Sequence, residues 1–106
     1  MAFNMNFLKQ AQELQEKIKK MQEELVNKTA TGSAGGDMVR VTVNGKHEVI
    51  DIKISKEVVD PEDIQMLEDL IVAAVNDAMR KIEEIIKEEM AKLTGGFNIP
   101  GLELPF

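Results

Sequence analysis

The sequence predicts an α+β fold: a long N-terminal helix is followed along the chain by a three-stranded antiparallel sheet and then by a long C-terminal helix. Three observations predict it: a heptad seam of apolar residues through 5–28, alternating β-branched residues in 37–54, and helix-compatible sequence over 61–93. At 106 residues, the chain has the length of one domain. We place that domain at 1–96 and treat 97–106 as an apolar, proline-containing tail, which either docks on a groove or stays loose.

The stretch 37–54 is predicted to be a β-hairpin. Valines at alternate positions of 39–43 and isoleucines at alternate positions of 50–54 show the period-two pattern of strands. Asn44-Gly45 favours a type I′ turn between them, because both residues tolerate positive φ. We expect a loop with an even number of residues, which places the valines and isoleucines on one apolar face. The other face then carries Arg40, Thr42, Asp51 and Lys53.

A helix is predicted over residues 5–28, because apolar residues recur there at spacings of four and three. The seam consists of Phe7, Ala11, Leu14, Ile18, Met21 and Leu25. So narrow a seam suits contact with one other helix, as in a coiled coil, although an ordinary core-facing helix has the same spacing. Lysines and glutamates lie away from the seam, and i,i+4 ion pairs on a solvated surface are the simplest explanation of them.

Residues 29–36 separate this helix from the hairpin. Their threonines favour a strand, and Gly35-Gly36 marks a turn. A short edge strand near 28–32 would complete the three-stranded antiparallel sheet, and a flexible loop is the alternative.

The second helix is predicted over 61–93. Asp60 is expected to be the N-cap and Pro61 the first helical residue, while Gly95-Gly96 ends the helix. Such a helix spans about 50 Å at a rise of 1.5 Å per residue, and one kink or break is left open.

The lengths of the elements predict helical arms. A strand of about seven residues covers about 24 Å, roughly half the length of the second helix. The small apolar residues of 64–78 are expected to lie on the sheet, and the narrower stripe of 79–93 to extend beyond it and pair with the first helix. The apolar surface left over exceeds what one chain can cover, which predicts a homodimer with twofold symmetry.

Composition argues against several functions. The chain has no run near the roughly 18 apolar residues of a membrane span, and its start lacks the features of a signal peptide. It has no cysteine, and its one histidine, His47, is interpreted as a surface strand residue beside the turn. We therefore expect no catalytic residue, no cofactor, no metal, no membrane contact and no small-molecule substrate.

The net charge of −6 is concentrated in one segment. Residues 57–77 hold seven acidic residues and no basic one, so the rest of the chain is close to neutral. Its basic residues can therefore line one face.

Several motifs resemble those of a known family, and they occur in the same order along nearly the whole chain. They are Met-Asn-Phe-Leu-Lys-Gln-Ala-Gln at 5–12, Met-Gln-Glu-Glu-Leu at 21–25, the Asn44-Gly45 hairpin, Leu-Glu-Asp-Leu-Ile at 67–71, Ala-Ala-Val-Asn-Asp-Ala at 73–78, Leu-Thr-Gly-Gly at 93–96 and the final Leu-Pro-Phe. The sequence resembles the YbaB/EbfC family of bacterial nucleoid-associated proteins. The resemblance implies a cytoplasmic, nucleoid-associated homodimer, shaped like tweezers, that binds double-stranded DNA with protruding helical arms and is not an enzyme.

The resemblance also implies which residues contact DNA, because the family assigns that role to the first helix and the C-terminal helix. The candidate phosphate contacts are Lys9, Lys17, Lys19, Lys20, Arg80, Lys81, Lys87 and Lys92. We expect salt-sensitive binding through backbone and shape, without readout of bases. The alternative is a prefoldin-like chaperone or assembly factor, whose arms would use the apolar tip at Phe3, Met5 and Phe7.

Overall fold

The computed structural model describes residues 5–93. In chain order the elements are α1 (Met5–Val26), β1 (Thr29–Ala34), β2 (Val39–Asn44), β3 (Val49–Ile54), a short 3₁₀ helix (Lys56–Val58) and α2 (Ile64–Leu93). The strands form one antiparallel sheet in the order β1-β2-β3. With extents of 73 × 23 × 18 Å, the molecule is elongated. These elements confirm the predicted fold class, and the tail at 97–106 lies outside the described residues.

The edge strand predicted near 28–32 exists and covers Thr29–Ala34. The turn after it uses three successive residues with positive φ, Gly35 (65°), Gly36 (64°) and Asp37 (68°). Glycine adopts this conformation without steric cost, so the pair supplies the turn that the sequence indicated.

The turn between β2 and β3 differs from the expected type I′ turn. Positive φ occurs at His47 (61°) and not at Gly45. The Asn44 carbonyl accepts a hydrogen bond from the His47 N–H at 3.0 Å, and the Asn44 N–H donates to the Glu48 carbonyl at 3.0 Å. Three residues therefore form the loop, and the prediction of an even loop was wrong.

A β-bulge restores the predicted face. Thr42 lies opposite Asp51 and Val43 opposite Val49, so Ile50 is the extra residue of the bulge. Beyond the bulge Val41 faces Ile52, and Val39 faces Ile54. The odd loop and the extra residue compensate each other, which is why these pairs share one face despite the wrong turn.

The core lies between this face and α2. Helix α2 packs mainly on β1 and β2, where the valines of β2 have no exposed surface. Ala74 and Ala78 are fully buried as well, so these two small residues of α2 lie on the sheet as predicted, whereas Ala73 is exposed. The contact is close at Gly32, where an added Cβ would lie 2.8 Å from the Ala78 Cα.

Strand β3 is left largely uncovered. Ile52 and Ile54 belong to the core face by register, yet they are 43% and 39% exposed. The sequence predicted more apolar surface than one chain can cover, and these isoleucines are part of that surface. The cause is that one helix spans the width of two strands, not three.

Helix α2 begins three residues later than predicted. The Asp63 Oδ1 accepts the Met66 N–H at 3.2 Å, so Asp63 is the N-cap. Asp60 instead forms a turn ahead of the helix, with its Oδ1 accepting the Glu62 N–H at 2.9 Å. The helix then continues unbroken to Leu93.

Among the described residues, helix α1 is buried only near its C-terminus. Met21 and Leu25 are buried in the same cluster as Ile82 and Ile86 of α2, which is the pairing expected for an arm. Every residue of 5–17 is exposed, including the first three residues of the seam. The outer half of α1 therefore projects from the molecule with its seam uncovered.

Candidate nucleic-acid interface

The four lysines of α1 are exposed and available to a ligand. They are Lys9, Lys17, Lys19 and Lys20. Acidic residues occur one helical turn away, but within residues 5–93 none of these lysines forms an ion pair or a hydrogen bond. The i,i+4 ion pairs expected on this surface are therefore absent from the described part of α1.

The cations of α2 are arranged differently. Arg80 lies 3.7 Å and Lys81 3.0 Å from the Asp77 carboxylate, and Lys92 lies 3.3 Å from Glu89. Lys87 is exposed and has no such partner among residues 5–93. Three of the four candidate cations of α2 therefore share their charge with a neighbouring acid.

Asp77 connects α2 to the free edge of β1. Its Oδ2 accepts the backbone N–H of Ser33 at 3.0 Å, and the Nζ of its partner Lys81 donates to the Thr31 carbonyl oxygen at 3.3 Å. The Ser33 hydrogen bond, followed by the one from Lys81, lowers the pKa of Asp77. Lys81 therefore has a structural partner that sequence reasoning missed when it assigned this residue to DNA contact alone.

A groove of about 540 Å³ lies between the C-terminal half of α1 and the tip of the β2–β3 hairpin. Lys19 lines it from α1, and Lys46 and His47 line it from the hairpin. His47 was expected on a strand, but it is part of the turn, half-buried, with its Nε2 4.0 Å from the Glu83 Oε1. Lys46 therefore adds a cation to the basic surface of α1. The sequence indicated this only through the position of Lys46 at the tip of a hairpin.

The acidic segment 57–77 and the α1 arm contact opposite ends of the sheet. Leu70, within the acidic segment 57–77, lies beside Gly35 in the β1–β2 turn. The hairpin tip at the other end of the sheet contacts the last turn of α1. The lysines of α1 are therefore displaced from the acidic segment, which limits its repulsion of a polyanion held by the arm.

Membrane insertion finds no support in the described residues, since none of their helices combines the length and the apolar character of a membrane span.

Comparison with known proteins agrees with this geometry. The family model described as the YbaB/EbfC DNA-binding family matches residues 1–97. A nucleoid-associated protein of Caldanaerobacter subterraneus subsp. tengcongensis is 59% identical over 101 residues, covering 94% of this chain and 91% of that protein. One from Syntrophobacter fumaroxidans is 55% identical over 105 residues, with 99% and 96% covered.

The fold has a counterpart among solved structures. The crystal structure of an uncharacterized protein from Helicobacter pylori superposes with a TM-score of 0.73, at 23% identity, and covers 89% of this chain and all of that one. The helical arm, the sheet and the sequence matches lead to one conclusion: the chain is a member of the YbaB/EbfC DNA-binding family, a family of nucleoid-associated proteins and not of enzymes.

Proposed function

We propose that this protein binds double-stranded DNA in the nucleoid as a homodimer, chiefly through phosphate contacts made by its helical arms. The observation that carries the proposal is the set of exposed α1 lysines, which form no ion pair within residues 5–93, on a helix that projects from the sheet. Family membership supports DNA as the ligand. Phosphate contacts from lysine carry no sequence information, so binding organises DNA without selecting a site.

The two helices contribute unequally to this binding. A lysine already paired with a carboxylate gains less from a phosphate, because the acid partly neutralises it and remains nearby as a like charge to the ligand. We therefore assign the stronger contacts to α1 and Lys87, and weaker ones to Arg80, Lys81 and Lys92.

The uncovered β3 surface supports the homodimer. Ile52 and Ile54 continue the core face of the sheet but are not covered by α2. A second copy would cover them by the same surface on both partners, as in a twofold dimer. Two arms would then project from a common centre.

The experiment is an electrophoretic mobility shift with a short duplex at about 50 and about 200 mM salt. We expect affinity to fall steeply between these concentrations, because binding phosphates releases counterions from DNA. The double substitution K19E/K20E should weaken binding and reduce the salt slope by roughly one for each phosphate that the variant no longer neutralises. The control is Lys53→Glu on β3, away from the arms; because it reverses one charge and the arm variant reverses two, it should have less than half the effect.

Absence of any shift at the lower salt would contradict the proposal, and so would equal effects of the arm and control variants per reversed charge. The chaperone alternative has one observation in its favour, the 80% and 68% exposure of Met5 and Phe7 at the arm tip. Suppression of aggregation of a heat-unfolded client, without a shift of DNA, would favour that alternative. An excess of single-stranded competitor in the same assay tests the preference for duplex.

A further inference from the structure

We propose that Gly45 is a positioning residue, which sets the direction of the α1 arm by allowing the hairpin tip to contact the last turn of α1. The expected effect on DNA affinity rests on the function proposed above, whereas the expected effect on the direction of α1 does not.

The turn itself does not require glycine at this position. The residue with positive φ is His47, while Gly45 has no left-handed conformation to satisfy. The side chain of Asn44 holds the turn instead, since its Oδ1 accepts the N–H groups of Lys46 at 2.9 Å and Glu48 at 3.1 Å. The hairpin alone therefore does not explain why this residue is a glycine.

That reason is the backbone of α1. A Cβ on Gly45 would lie 2.5 Å from the Leu25 carbonyl carbon and 3.1 Å from the Leu25 Cβ, with the Leu25 carbonyl oxygen closer still. These atoms belong to a helix and cannot turn away as a flexible side chain can. Gly45 is buried, and Leu25 is only 2% exposed, so the two residues form a closed contact.

The position of this contact gives it leverage over the arm. Met21 and Leu25 are the buried residues of α1, and they lie about 6 Å apart along the helix axis. Met5 lies about 30 Å from Leu25 along the same axis. With Met21 as the pivot, displacing the Leu25 end by about 1 Å would tilt α1 by about 10° and move Met5, about 24 Å beyond the pivot, by about 4 Å.

The test measures the arm without DNA. Because the chain has no cysteine, Gln12→Cys on α1 and Glu88→Cys on α2 provide unique spin-label sites, and double electron–electron resonance gives their distance. Labelled protein is diluted with unlabelled full-length protein, so that distances between two chains do not contribute. Because Gln12 lies about 14 Å beyond Met21 along α1, we expect Gly45→Ala to shift the distance by about 2 Å, with the oligomeric mass and the helix content by circular dichroism unchanged.

The matched control is Gly36→Ala, because a Cβ there meets nothing within 4 Å and the residue lies in the other turn of the sheet. It should leave the distance unchanged. A folded Gly45→Ala variant with the wild-type distance would overturn the proposal. If Gly45→Ala does not fold, Asn44→Ala decides: loosening the tip should broaden the distance distribution, and an unchanged distribution overturns the proposal.

The effect of Gly45→Ala on DNA affinity is measured in a separate experiment. Gly45→Ala should lower affinity for duplex by roughly threefold or more, because phosphate contacts on a tilted arm no longer match the duplex. A distance shift with no change in affinity would confirm the positioning of α1 and contradict its importance for binding. Failure of the wild-type protein to bind DNA would contradict the proposed function and leave the distance measurement valid.

Discussion

At the scale of single residues, Asp77 shows how one carboxylate can hold two elements together. It accepts the Ser33 N–H on β1 and pairs with Lys81, whose Nζ reaches the Thr31 carbonyl on the same strand. Backbone groups alternate in direction along a strand, so residues two apart, such as Thr31 and Ser33, direct theirs to the same side. Here that side is the one away from β2. Groups that a sheet edge would leave to solvent are thus bonded by side chains of α2.

Asp77→Asn is expected to lower the melting temperature at pH 7 by a few degrees, because the hydrogen bonds to a charged acceptor are stronger than those to an amide. The native pKa of Asp77 lies below its ordinary value of 3.8. Its charged form therefore contributes stability above that value, and this stability is lost as pH falls through the native pKa. Thermal unfolding between pH 7 and 2 should show the difference between variant and wild type shrinking in acid.

Asp69→Asn provides the control, because Asp69 is exposed on the same helix and forms no hydrogen bond or ion pair within residues 5–93. An Asp69 variant as destabilised as the Asp77 variant would show that net charge, and not the contact with β1, is responsible.

At the scale of elements, the distance between β1 and α2 is set by small residues on both sides. Gly32 faces Ala74 and Ala78, and an added Cβ would overlap the backbone of α2. The strand and the helix therefore approach more closely than side chains of ordinary size would allow. This closeness also brings Asp77 and Lys81 within reach of the edge of β1.

Gly32→Ala is expected to destabilise the protein by about 2 kcal/mol or more, because overlap with backbone atoms can be relieved only by moving a whole element. Gly36→Ala should cost about 1 kcal/mol, from its positive φ alone. Urea unfolding of both variants at equal protein concentration checks the order. A smaller loss for Gly32→Ala than for Gly36→Ala would contradict the close approach.

At the scale of the whole molecule, one sheet face is covered by α2 over two strands and left open over the third. The exposed isoleucines of β3 therefore show that a single chain does not cover the whole core face of its sheet. The elongated shape follows from α1 and from the part of α2 that extends beyond the sheet.

Ile52→Glu should convert a dimer to a monomer, because it places a charge in the centre of the proposed interface. Light scattering of the full chain gives the mass, with Lys53→Glu on the opposite face of the same strand as the control. We expect twice 11.8 kDa for wild type and control, and a value near 11.8 kDa for the Ile52 variant. A monomeric wild-type protein would contradict the homodimer outright.

Local patterns in the sequence were sufficient for the elements but not for their contacts. Heptad spacing identified α1, and period-two alternation identified β2 with β3, because these patterns follow from the geometry of one element. End signals and an uninterrupted helix-compatible run identified α2. Local patterns could not distinguish Asp60 from Asp63 as the N-cap, since both residues precede helix-compatible sequence. The turn type was mispredicted for another reason: the Asn44 side chain holds a three-residue loop, in which His47 takes the positive φ.

The same limit applies to the candidate site. The α1 lysines could be placed from the seam, and the structure finds them exposed as expected. The role of Lys81 could not be foreseen, because it depends on a strand 50 residues earlier in the chain. Lys46 was overlooked since its neighbour in space, Lys19, lies in a different element.

The bonded edge of β1 has a consequence for how large an assembly can become. A sheet with two open edges can add copies at both and grow without limit, as fibrils do. Here side chains of α2 bond the outward backbone groups of Thr31 and Ser33, which leaves the β3 side of the sheet open to a second chain. In the twofold dimer proposed above, both chains would use that side, so the sheet would not extend to a third chain.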